Sequence, residues 1–183
     1  KYLIGMDKNG KWVTTEKKFI ESDFFKATSE FLNSSRLAEI LEKYDFTFEF
    51  KLHPIFERYE NLYKIDSPRI KMAVQGTHES RYNIFITDFS SYQFDFIYLQ
   101  RPIIHFVPDY EIFRSGMNDY RELDMSFEDG VGDFALTSDE ALDSLEKLLD
   151  NNCIDEDYLK KTENFFFEND SHEEALYQAL IKD

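Results

Sequence analysis

A chain of 183 residues has room for one domain with a single substantial core, and 42% hydrophobic with 17% aromatic residues exclude a disordered segment. Its 37 Asp and Glu outweigh 21 Lys and Arg, and the resulting formal charge of −16 argues against nucleic acid or an anionic membrane surface as partner of the segment as a whole. One cysteine, Cys153, excludes an internal disulfide, and no apolar run reaches the roughly 18–20 residues of a transmembrane helix.

From the N-terminus, Tyr2 to Gly5 predicts a short strand, followed by a turn at Asn9-Gly10-Lys11. The start at Lys1 without an initiator Met suggests a piece of something longer. Between Ser22 and Tyr44, apolar Phe24, Phe25, Phe31, Leu32, Leu37, Ile40 and Leu41 recur near a helical period, with a break at Asn33-Ser34-Ser35 where Ser34 or Ser35 can cap a second helix. Phe46 to Leu52 alternates aromatic and polar residues and stops at His53-Pro54, as strands do at proline. Ile70 to Val74 and Ile84 to Thr87 predict further strands, Ser91 to Gln100 a helix, and Pro102 to Phe106 another strand. Gly130-Val131-Gly132 then leads into a strand at Phe134-Ala135-Leu136, and Asp139 to Asp150 and Asp155 to Lys182 predict terminal helices, the second long and amphipathic. Strands separated by crossover helices predict an α/β fold with a Rossmann-like, doubly wound parallel sheet, whose ligands gather at the carboxyl ends of the strands.

Two polar features fall at such ends. Asn83 to Phe96 carries an apolar strand into Thr87-Asp88-Phe89-Ser90-Ser91, where Ser90 or Ser91 can cap a helix while hydroxyls and backbone N–H groups receive a phosphate; an ordinary Ser cap without ligand explains the same residues. His53 can donate a hydrogen bond to a phosphate oxygen, or in its cationic form offset charge on a leaving pyrophosphate, and it can equally be a structural hydrogen-bonder. His105 sits in an apolar strand and reads as a core or strand-end residue, and His172 as a solvated one. The Gly130 and Gly132 pair permits close approach to an anionic ligand or simply a tight turn. Cys153 reads as a small apolar residue, and no metal-ligand spacing, P-loop or G-x-G-x-x-G is present.

Taken together, Lys51-Leu52-His53-Pro54, Ile86-Thr87-Asp88-Phe89-Ser90-Ser91 with Phe94-Asp95-Phe96 and Leu99, and Arg101-Pro102-Ile103-Ile104 with Phe106 and Asp109 resemble the C-terminal half of the CDP-glycerol glycerophosphotransferases. These include teichoic acid and capsular polyol-phosphate polymerases. The resemblance implies the C-terminal domain of a GT-B type transferase, with residues 1–183 forming one nucleotide-donor-binding domain of a longer two-domain enzyme and 155–182 a C-terminal helix. It implies that His53 is the catalytic histidine near the donor phosphates, and that Thr87, Asp88, Ser90, Ser91 and Asp95, with Gly130 and Gly132, form the substrate-binding turns. The implied partners are CDP-glycerol or CDP-ribitol and a lipid-linked polymer acceptor reached through an N-terminal half that carries another catalytic histidine; no cofactor is called for with certainty, and a Mg2+ held mainly by the donor pyrophosphate is compatible with the sequence because it needs few protein ligands. The implied location is cytoplasmic, peripheral at the inner face of the cell membrane, with this segment alone expected to be inactive. Three departures stand out: Leu3 to Trp12 lacks the family's Pro-Thr-Trp-Arg-like segment, Phe89 replaces a tyrosine, and Gly130-Val131-Gly132-Asp133 lacks the following proline. A GT-B glycosyltransferase using a nucleotide sugar, or a non-catalytic binding module, are the alternative readings.

Overall fold

The computed structural model describes residues 5–6, 8–9, 12–74, 76–114 and 130–163. β1 (Gly5–Met6) and β2 (Trp12–Val13) form an antiparallel ladder, so the first strand is not part of a parallel sheet as expected. So short a separation, from Met6 to Trp12, suits a hairpin, whereas a parallel pair would need a longer crossover. α1 (Glu16–Ile20), unforeseen in the sequence, follows, with Thr15 accepting from the Lys18 N–H. α2 (Asp23–Leu32) and α3 (Ser35–Lys43) split at Asn33-Ser34 as the periodicity predicts, because the Ser34 side chain caps Leu37 N–H.

β3 (Phe48–Phe50) pairs in parallel with β4 (Ile70–Met72), and between them runs a 3-10 helix, Pro54–Leu62, that the sequence reading left unassigned. β5 (Phe85–Thr87), β6 (Ile103–Phe106) and β7 (Asp133–Ala135) form a second parallel sheet in that order. α4 (Gln93–Tyr98) crosses from β5 to β6, α5 (Tyr110–Arg114) follows β6, and α6 (Ser138–Asp150) and α7 (Glu156–Thr162) follow β7. The expected helix over 155–182 is thus described to Thr162, and its remainder, with His172, lies outside the described residues. The result is a mixed α/β chain with parallel sheets and helices, consistent with a Rossmann-like fold.

β6 is buried along its whole length because helices cover both faces, which is why Ile103-Ile104-His105-Phe106 is a nearly unbroken apolar run. Ile104 and Phe106 join the main core with α2, α3 and α6, while Ile103 packs on the other side with Phe96, Ile97, Val131 and Tyr158. α6 presents Ala141, Leu142, Leu145, Leu148 and Leu149 to the first core, and Thr137 with Glu140 closes a capping box at its start. The 3-10 helix supplies Phe56 and Tyr59 to an aromatic group around Phe19, whose ring stacks on Tyr59 at 4.9 Å. That packing fixes the segment beginning at His53.

Candidate functional site

Two segments lie beyond the carboxyl ends of parallel strands, His53 after β3 and Thr87 to Ser91 after β5, while His105 lies within β6 and the glycine turn precedes β7, at the amino end of its sheet. The first begins at His53, the N-cap of the 3-10 helix, where Nδ1 accepts the Ile55 N–H at 3.3 Å. A ring nitrogen that accepts carries no proton, so the neutral ring holds its proton on Nε2, and in either charge state an exposed Nε2–H is left to donate. The same backbone-capping geometry recurs at His78, whose Nδ1 accepts the Ser80 N–H at 3.2 Å.

The second segment is Thr87 to Ser91. Thr87 is buried at the last position of β5 and lies opposite His105 in the ladder. Asp88 follows, partly buried. Lost hydration pushes its carboxyl above the usual carboxylate range, while the Phe89 and Asp88 N–H groups and then the charges of His53 and His105 pull it back. The influence of His53 brings the ends of β3 and β5 into one electrostatic neighbourhood. Ser90 accepts the Tyr92 N–H at 3.3 Å, and successive hydrogen bonds from Gln93, Phe94 and Asp95 N–H to Ser90, Ser91 and Tyr92 carbonyls wind a tight 3-10 entry into α4. The expected serine cap is therefore corrected: the N-cap is Tyr92, with no side-chain cap, because the tight turn ties those N–H groups to carbonyls before a hydroxyl can reach them. Ser91 and Asp95 are solvent-exposed, the latter in the first turn of α4.

His105 and the glycine turn supply the remaining segments. His105, 2% exposed, donates from Nε2 to the Val131 carbonyl at 3.0 Å, tying the turn to β6. Burial lowers its pKa, and the Val131 and Asp88 carbonyls that favour its protonated form act against that. Gly132 has a φ of +103°, and a Cβ there would lie 2.5 Å from the Ile103 carbonyl oxygen, so glycine is demanded by backbone packing alone. Gly130 is buried, and its carbonyl accepts from Lys161 Nζ at 3.4 Å. Beyond β6, Asp109 is raised first by burial and further by the charges of Asp88 and Asp23, with its own N–H opposing.

The sequence reading names Lys51 only within the Lys51-Leu52-His53-Pro54 motif and gives it no role; its Nζ stands 4.9 Å from the centroid of the Tyr92 ring. Its signal was present: in an alternating stretch it shares its parity with His53. A second helix start also follows a strand end, that of α6, but Glu140 accepts there from Leu136 N–H at 2.8 Å and Thr137 N–H at 3.0 Å. Its own carboxylate thus occupies the place an anion would take. A shallow cavity of about 330 Å³ lies elsewhere, between the start of α3 and Asp66-Ser67-Pro68, and none of the predicted site residues lines it. Convergent charged and hydroxyl groups, not cavity size, define the candidate site. Among the described residues no group of three or more His, Cys, Asp or Glu could hold a metal, and no helix is long and apolar enough to cross a membrane.

The family model for CDP-Glycerol:Poly(glycerophosphate) glycerophosphotransferase matches residues 17–179. The chain is also 28% identical, over 172 residues, to the minor teichoic acid biosynthesis protein GgaB of Bacillus subtilis (strain 168), an alignment covering 90% of this chain and 18% of that protein. It therefore spans about a fifth of the length of this curated relative. The match takes in His53, the Thr87 to Ser91 turn and the glycine turn, and the chain belongs to the CDP-glycerol:poly(glycerophosphate) glycerophosphotransferase family.

Proposed function

We propose that this chain is the donor-binding domain of a two-domain, GT-B type transferase that moves glycerol phosphate or ribitol phosphate from a CDP-activated donor to a teichoic acid or capsular polymer. The observation that carries the reading is the contact of Lys51, beside His53 at the end of β3, with Tyr92, which joins that strand end to the Thr87 to Ser91 turn at the end of β5, in a member of this family. The hydroxyls of Ser90 and Ser91 and the Nε2–H of His53 offer donors to diphosphate oxygens. Thr87 and Asp88 shape the turn, Asp95 stands at the start of α4, and Gly130 and Gly132 flank Val131, whose carbonyl holds His105 opposite Thr87.

In the proposed reaction a polymer-end hydroxyl attacks the β-phosphate of the donor. The new P–O bond forms as the bond to the CMP oxygen breaks, and CMP leaves with that electron pair. Donors already in place stabilise the charge gathering on the phosphoryl oxygens and on the leaving group. The base that takes the hydroxyl proton, and the lipid-linked acceptor, belong to the acceptor half of the longer enzyme. A Mg2+ held mainly by the donor diphosphate needs few protein ligands, and Asp88 is the carboxylate nearest this chemistry. The proposed working place is the cytoplasmic face of the cell membrane, and this segment alone is expected to bind donor without turnover.

Calorimetric titration with CDP, CDP-glycerol and UDP tests the reading. Cytidine-selective binding that weakens in His53→Ala and in Ser90→Ala/Ser91→Ala supports it. Equal affinity for UDP, or affinity unchanged in both variants, contradicts it.

A further inference from the structure

We propose that Lys51 is a further donor-binding residue, its ammonium meeting the diphosphate between His53 and the Ser90-Ser91 turn; the assignment rests on the donor-site reading above. Lys51 and His53 are exposed while Leu52 between them is 2% exposed, so the two polar side chains leave the end of β3 on one side. That side faces the turn before α4, as the Lys51 and Tyr92 contact shows.

Several cations are paired with carboxylates: Arg36 with Asp143 and Glu146, Lys43 with Glu146, Arg69 with Glu42 and Asp45, and Lys71 with Glu49. Arg58 and Lys161 are held instead by the Thr14 and Gly130 carbonyls, and what sets Lys51 apart is its place beyond the end of β3, beside His53 and against the residue that opens α4. Among the described residues Lys51 has no carboxylate partner; its contact is the face of Tyr92. A ring face attracts an ammonium and fixes its position without cancelling its charge. The full charge stays available for an anion, in a chain whose net charge of −16 otherwise repels one. Three N–H donors on a compact ammonium suit diphosphate oxygens arriving from the open side of the ring. The recognised chemistry is thus the diphosphate, while the base is left to other groups.

The test is titration of wild type, Lys51→Met, Lys51→Arg and Tyr92→Leu with CDP, CMP and cytidine, with circular dichroism to establish folding. Lys51→Met should weaken CDP about tenfold, the loss of one charge-assisted hydrogen bond, while cytidine affinity stays unchanged. Lys51→Arg should recover most of the loss, and Tyr92→Leu should show a smaller, CDP-specific weakening. CDP affinity unchanged in Lys51→Met, or an equal loss for cytidine, overturns the assignment. If wild type fails to bind CDP, the donor-site reading itself fails and takes the Lys51 assignment with it.

Discussion

His53 does two jobs with two nitrogens, and they can be separated. Nδ1 caps the Ile55 N–H, a task asparagine also performs, whereas only the imidazole presents Nε2–H outward. His53→Asn should therefore keep unfolding stability within about 0.5 kcal/mol in urea while CDP affinity falls. Gly132 is the opposite case, a residue whose role is packing whatever else it faces. Gly132→Ala forces a Cβ into the Ile103 carbonyl oxygen at a φ that alanine disfavours, and should cost about 3 kcal/mol in denaturant unfolding. Because His105 ties the same turn to β6, this variant should also weaken nucleotide binding once the protein is refolded at low temperature.

At the scale of elements, two helix starts at strand ends differ in what occupies them. Glu140 fills the start of α6 from within, so Thr137→Ala should lower stability by about 1 kcal/mol and leave nucleotide affinity untouched. Long periodic segments were legible: the division of α2 from α3 at Ser34, the apolar face of α6, the strand before His53, which ends at Phe50 and not at Leu52, and the strand ending at Thr87 all follow from spacing. What spacing could not reveal is tertiary. The 3-10 helix Pro54–Leu62 takes its form from the packing of Phe56 and Tyr59 around Phe19. The antiparallel partner of Gly5–Met6 lies in a polar stretch that carried no strand pattern. At the site, His53 and the serine turn were readable as polar residues at strand ends, yet the tight entry that makes Tyr92 the N-cap depends on backbone geometry. The parity of Lys51 with His53 was readable in the sequence, but its contact with Tyr92 is tertiary.

For the molecule as a whole, Asp88 and Asp109 are carboxyls held where burial opposes their ionisation. Burial raises both carboxyls, so between the unfolded value near ~3.9 and the higher folded one the native state binds more protons than the unfolded chain. Their stabilising contribution is full below the unfolded pKa and is lost as pH rises through the folded pKa. Asp109→Asn should accordingly be more stable than wild type at pH 7, with a flatter dependence on pH in urea unfolding between pH 4 and pH 8. Keeping two such carboxyls at the carboxyl ends of the strands is the pattern of a working site. The chain's acidity, −16 overall, then confines anion binding to the few segments whose donors and unpaired lysine point one way.

The most direct measurement is to follow the backbone amide resonances of the isotope-labelled chain by NMR as CDP is added. The account predicts that shifts concentrate at Lys51 to Ile55 and Thr87 to Tyr92. Shifts centred instead on Asn33 to Ser35 and Asp66 to Ser67, around the cavity beside α3, would contradict it.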